Sequence, residues 1–163
     1  MKSRRVISFS APSLRRFLLG SVVSLGLGYL PFAALAEEKT PSQLEAEYDR
    51  EQNPKNRVTI AVELIEERLE ELRSAYQKES ADRVAAVRHY LSALDRLDKA
   101  AEENSNGGAA KKAEIRLREQ IRALENLKMN ISARQRNPIE KAMARVVKLH
   151  EEILYSIMMP SSR

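Results

Sequence analysis

Residues 57–79 read RVTIAVELIEERLEELRSAYQKE, and the spacing of their apolar side chains decides the fold class. Val58, Ala61, Val62, Ile65, Leu69, Leu72 and Tyr76 recur at steps of three and four, which sets them on one face of a long α-helix. Ser80 follows almost at once and is placed to cap a second helix, carrying Val84, Val87, Leu91, Leu94 and Ala101 at heptad-like spacing. So short a connection predicts an antiparallel hairpin.

Outward from that hairpin the same pattern recurs. Asn104-Ser105-Asn106-Gly107-Gly108 is a loop signal. A third helix over 109–136 has the stripe Ala113, Leu117, Ile121, Leu124 and Ile131, with Leu127 beside it. Asn137-Pro138-Ile139-Glu140 offers a cap, a first-position proline and an acidic partner for a restart. Ile139, Ala142, Met143, Val146, Leu149, Ile153 and Ile157 then carry a last stripe to Pro160. Upstream, Thr40-Pro41-Ser42-Gln43 has the form of a capping box, opening a short arm with Leu44 and Tyr48 on one face, and Asn53-Pro54 starts the next helix likewise.

No segment alternates with period two, so the fold class is all-α: four long antiparallel helices in two hairpins, with a short N-terminal helical arm. The divisions are 1–36, the arm 37–53 and a helical bundle domain 54–160. Short turns favour an up-down-up-down bundle. The rival is a tetratricopeptide-like stack, suggested by Ala75-Tyr76, Tyr90-Leu91 and Ala93-Leu94. At an offset of 55 residues the hairpins align, Val62 with Leu117, Leu69 with Leu124, Leu72 with Leu127, Val84 with Ile139 and Leu91 with Val146.

The first 36 residues have the three parts of a secretory signal. Lys2, Arg4, Arg5, Arg15 and Arg16 are basic, Phe17 to Ala36 carries no charge, and Ala34-Leu35-Ala36 is a small-x-small cleavage site. Cleavage after Ala36 would deliver a periplasmic or secreted protein. The alternative is an uncleaved anchor, since 17–36 is just long enough to span a bilayer. The arginine pairs lie outside a full twin-arginine motif, which favours the ordinary secretory route.

Charge excludes one class of function. The whole chain has 28 Lys+Arg against 23 Asp+Glu, but five of the bases lie in the leader, so residues 37–163 are formally neutral. The basic pI belongs to the leader, and nucleic acid is not an expected partner. The absence of cysteine removes disulfides, thiolate metal sites and a cysteine nucleophile.

Catalytic residue types are scarce. His150-Glu151 begins like a zinc-protease motif, but Leu154 stands where the second histidine belongs. Residues 86 and 147, three before His89 and His150, are Ala and Val, so no di-iron pattern exists. His89 lies opposite its stripe and reads as surface; His150 flanks its stripe and reads as a boundary histidine with a polar partner. Glu63, Glu66, Glu67, Glu70 and Glu71 read as a solvated face, since none falls on the stripe. Helix 109–136 has eight bases and three acids, and the arm has six acids and two bases, which suggests mutual neutralisation within the fold. Tyr48, Tyr90 and Tyr155 are candidates for an exposed interaction surface.

Asn53-Pro54 with Arg57, Ala75-Tyr76, Tyr90-Leu91, Ile115-x-Leu117-Arg118-Glu119, Leu124-x-x-Leu127 and Pro138-x-Glu140 together resemble a family of exported bacterial all-helical proteins. The likeness spans about residues 48–154. It implies export and a helical fold, and brings no activity, cofactor or site residue. Where the family has a glycine between the first two helices, this chain reads Lys78-Glu79-Ser80, so a different turn is expected. The expectation is a non-enzymatic binding or scaffolding protein of the envelope, with a periplasmic chaperone or stress sensor as the alternative. No catalytic, cofactor or metal residue is assigned and no cofactor is expected. The expected partner is protein, a second copy included, with membrane contact only through an uncleaved leader.

Overall fold

The computed structural model describes residues 39–104 and 107–159. The leader and its cleavage site at Ala36 lie outside the described residues, as do Ser105, Asn106 and Pro160. Among the described residues the fold is all-α, with five α-helices, one 3₁₀ turn and no strand.

Helix α1 (Pro41–Arg50) begins as its sequence dictates: Thr40 N–H donates to Gln43 Oε1 at 2.8 Å, and Pro41 takes the first position. Ten residues do not hold a helix alone in water. Packing holds this one, through buried Leu44 and Tyr48. The Tyr48 hydroxyl donates to the Arg96 carbonyl at 2.8 Å and accepts from Arg57 Nη2 at 3.1 Å. The Arg57 guanidinium lies over the Tyr48 ring at 4.6 Å and pairs with Glu103 at 2.5 Å. The arm is thereby tied to two helices.

Helix α2 (Pro54–Gln77) starts at Asn53, whose Oδ1 accepts from Lys55 N–H at 3.0 Å. All seven residues of the sequence stripe are buried, and Ile60 and Leu64 are buried too. The wider apolar face follows from its neighbours, because α2 packs against α1, α3 and α4. It ends in a Schellman turn: Ser80 N–H donates to the Ala75 carbonyl at 2.9 Å and Glu79 N–H to Tyr76 at 3.3 Å. Glu79 sits at φ 50°, the left-handed position that favours glycine. The Lys78-Glu79-Ser80 turn thus holds a non-glycine residue in a strained conformation.

Helix α3 (Arg83–Glu103) starts later than expected, with Asp82 at the cap position. Ser80 is no cap; its hydroxyl accepts from Asp82 N–H at 3.1 Å within the turn. The stripe is also rotated. Val84 is 70% exposed, Leu91 is half-buried, and the core face is Ala86, Val87, Tyr90, Ala93, Leu94, Leu97, Ala100 and Ala101. Val84 lies in the first turn, beyond the end of the core, and alanines take much of the inward face.

Helix α4 (Gly108–Asn130) stops six residues before the expected 136. Ser132 and Gln135 frame a 3₁₀ turn (Ala133–Gln135), with Gln135 Oε1 accepting from Ser132 N–H at 3.3 Å and from its hydroxyl at 3.0 Å. Helix α5 (Arg136–Met158) follows directly, so Asn137 lies inside the helix rather than capping it, and Pro138 still falls in the first turn.

α2 packs on α3, α4 on α5, α2 on α4 and α3 on α5. The offset of 55 survives between α2 and α4: Val58 and Ala113, Val62 and Leu117, Ile65 and Gln120, Leu69 and Leu124, Leu72 and Leu127 are all buried. It fails between α3 and α5, where exposed Val84 would match buried Ile139. There the burial patterns match at 52: Val87 with Ile139, Tyr90 with Ala142, Leu94 with Val146, Leu97 with Leu149, Ala101 with Ile153. The second helix pair turns back three residues sooner than the first.

Replacing Glu79 with glycine removes the Cβ penalty of the left-handed conformation, about 1 kcal/mol. Thermal unfolding followed at 222 nm should show Glu79→Gly melting a few degrees above the parent. A lower melting temperature would show that the side chain stabilises the turn.

Candidate functional site

The side chains singled out in the sequence are scattered, and most are occupied structurally. His89 is exposed on α3. His150 lies at the core boundary, its Nε2 3.0 Å from Glu114 Oε1. An ionised carboxylate can only accept, so His150 carries a proton on Nε2. Glu114 also accepts from Arg118, one helical turn on. These two partners, His150 first, hold the Glu114 carboxyl below its usual range despite the burial that opposes them.

The glutamate run on α2 is largely paired: Glu66 with Arg116 at 3.0 Å, Glu70 with Arg73 at 2.7 Å, Glu71 with Arg68 at 2.6 Å. Glu67 is engaged as well. Among the described residues no group of three His, Asp or Glu could hold a metal ion. The arm and α4 do not neutralise each other as expected. Glu45 of α1 pairs with Arg68 at 2.8 Å and Glu47 with Lys39 at 2.5 Å, while Arg116 of α4 faces α2 and Lys128 lies 3.9 Å from Glu140 of α5. α1 packs on α2 and α4 lies along another side of that helix, so each finds its counter-charges locally.

Of the three tyrosines proposed as exposed contacts, two belong to the core. Tyr48 and Tyr90 are buried, and Tyr155 is 68% exposed. The Tyr90 hydroxyl donates to Gln120 Oε1 at 3.0 Å, and burial pushes its pKa far above the usual value. It joins the two helix pairs with a polar bond inside an apolar core.

Among the described residues a cleft of about 630 Å³ opens between the C-terminal turns of α2 and α4 and the segment after α4. Tyr76, Ala123, Leu127 and Ile131 give it an apolar lining, where the core ends. Arg73, Gln77, Arg122, Asn126, Asn130, Ser132 and Gln135 supply polar groups. Arg73 is tied to Glu70, whereas Arg122 is exposed and makes no ion pair among the described residues. Asn130 Nδ2 donates to the Asn126 carbonyl at 2.8 Å, and Glu119, also in the lining, is tied to Arg116 at 2.7 Å.

The size of the cleft suits a small molecule or a few side chains, and its donors suit carboxylate, amide or hydroxyl groups. It holds no histidine, and its serine hydroxyl is bonded to Gln135. Its one trace in the sequence is the polar run Asn126, Asn130, Ser132 and Gln135 inside what reads as continuous helix. Its other wall lies some fifty residues away in the chain. No family model, curated protein or solved structure matches this chain. No helix among the described residues is long and apolar enough to cross a membrane.

Two outcomes test the polar interior. Tyr90→Phe leaves the Gln120 carbonyl buried without its donor, which costs about 1–2 kcal/mol; urea denaturation should also show Gln120→Met recovering part of that loss in the double variant. The ionised Glu114 carboxylate, with its lowered folded pKa, contributes fully above its unfolded pKa of about 4.3, and the contribution drains away as pH falls through the folded value. The difference in denaturation midpoint between parent and Glu114→Gln should therefore be constant near pH 6 and shrink below about pH 4. A difference that is flat down to pH 3 would rule out the link.

Proposed function

We propose that the chain is a non-enzymatic, exported binding or scaffolding protein of the bacterial envelope, whose cleft between α2 and α4 receives a polar segment of a partner protein. The observation that carries this reading is the guanidinium of Arg122, which makes no ion pair among the described residues and is set in the cleft with the Asn126, Asn130 and Gln135 amides beside an apolar lining. The leader pattern supports export, and the wealth of side-chain amides and guanidiniums supports recognition over chemistry.

The frame is two antiparallel hairpins, α2–α3 and α4–α5, laid side by side in like orientation. Arg57 at the start of α2 meets Glu103 at the end of α3, and Lys128 near the end of α4 meets Glu140 near the start of α5. Glu66 with Arg116, and Tyr76 with Leu127 in one cleft, support a parallel course for α2 and α4. This favours the stacked-hairpin arrangement over an up-down-up-down ring, in which consecutive helices α3 and α4 would be packed neighbours.

A photocrosslinking residue placed at Asn126 in the native cell should capture one dominant protein at near-equal stoichiometry, from a product whose mass begins at Glu37. The same probe at exposed Glu102 of α3 should not capture it. Equal capture at both positions, or none at Asn126, would remove the cleft from the interaction.

A further inference from the structure

The outward side of α4 carries a pattern that the core does not explain and that the cleft takes up only at Arg122. Ile115, Arg122 and Met129 stand at i, i+7 and i+14, which brings them within 40° of one line along the helix over about 21 Å. All three are exposed, Ile115 by 53% and Met129 by 74%. Lys111, Arg118 and Glu125 lie on the same ridge, with Lys112 beside it, and all four are exposed. Lys111, Lys112 and Arg122 make no ion pair among the described residues, and Arg118 reaches Glu114 with one nitrogen. Glu119, exposed and four residues after Ile115, borders the same ridge and is tied to Arg116 at 2.7 Å, so the ridge presents four bases and two acids, with a large apolar side chain toward each end.

Among the described acids of the arm, Glu45 and Glu47 are paired within the fold and Glu51 is bonded to the Asn53 N–H and the Asn56 amide, which leaves Asp49 as a poor match for four bases in a second copy. A soluble polyanion would satisfy the bases and leave Ile115 and Met129 in water. A surface that is anionic outside and apolar just beneath satisfies both, and a convex helix ridge fits a plane.

We propose that the outer face of α4 docks on an anionic phospholipid surface, with Lys111, Lys112, Arg118 and Arg122 at the headgroups and Ile115 and Met129 entering the interface. This docking is independent of the cleft reading, and the two share only Arg122. It replaces the expectation that membrane contact comes from the leader alone.

The absence of cysteine allows the face to be read locally in the full chain, whatever the leader does. A polarity-sensitive dye is attached to Ile115→Cys, to Met129→Cys or, as a control on α3, to Glu102→Cys. Vesicles of phosphatidylglycerol should shift the dye to the blue at 115 and 129 and leave it unchanged at 102. Vesicles of phosphatidylcholine should have no effect at any site. Adding Lys111→Glu and Lys112→Glu should raise the lipid concentration for half the shift at least tenfold. Both changes place acids near the N-terminus of α4, where the helix dipole favours them, so the variant folds. Equal shifts at all three sites, no shift at 115 and 129, or the same shift with soluble polyglutamate would overturn the proposal. The last outcome would assign the ridge to a polyanion.

Discussion

The burial of α2 on three sides is the constraint on which the rest depends. A helix at the edge of a bundle needs one apolar stripe; this one also buries Ile60 and Leu64 beyond the stripe of Val58 to Tyr76. At about 25 cal/mol per Å² of apolar surface, its buried Leu, Ile and Val side chains form the largest favourable contribution of any one element. The other helices are arranged by what that surface requires. α1 covers one flank, α3 another, and α4 brings the second helix pair against a third.

The polar contacts then fix register rather than supply the bulk of stability. Arg68 shows the division: it is one of few buried charged residues, and its two terminal nitrogens reach Glu45 of α1 and Glu71 of its own helix. Tyr48 and Arg57 do the same between α1, α2 and α3. Such groups are costly to bury unless each is satisfied, so they discriminate between nearby alignments of the same apolar faces.

Legibility in the sequence followed the strength of the local signal. The α2 stripe and the Thr40 and Asn53 caps could be read directly, because apolar period and capping chemistry coincide there. The face of α3 was misjudged because alanines, small and weakly apolar, hold much of its core side, while Val84 at the helix end looked like core. The end of α4 was hidden because Ser132 and Gln135 build their turn from side chains that suit a helix equally well. Tyr48 and Tyr90 could not be told from surface tyrosines, since their partners, a carbonyl at Arg96 and the amide of Gln120, lie 48 and 30 residues away. The cleft is made by two helix ends that meet only after folding, so only its amide-rich half left a trace.

The three-residue difference in burial register between the two helix pairs bears on how such an architecture grows. Side-by-side helix pairs lengthen into open arrays when each unit offers the next the same register at both of its helices. Here α4 keeps the spacing of α2 while α5 has slipped by nearly one turn against α3, so another copy of either pair would not meet both helices at once. α1 already covers part of the surface of α2. Among the described residues the repeat of burial therefore holds for one helix of the pair and lapses for the other, so the likeness between the two pairs is one of pattern and not of interchangeable units.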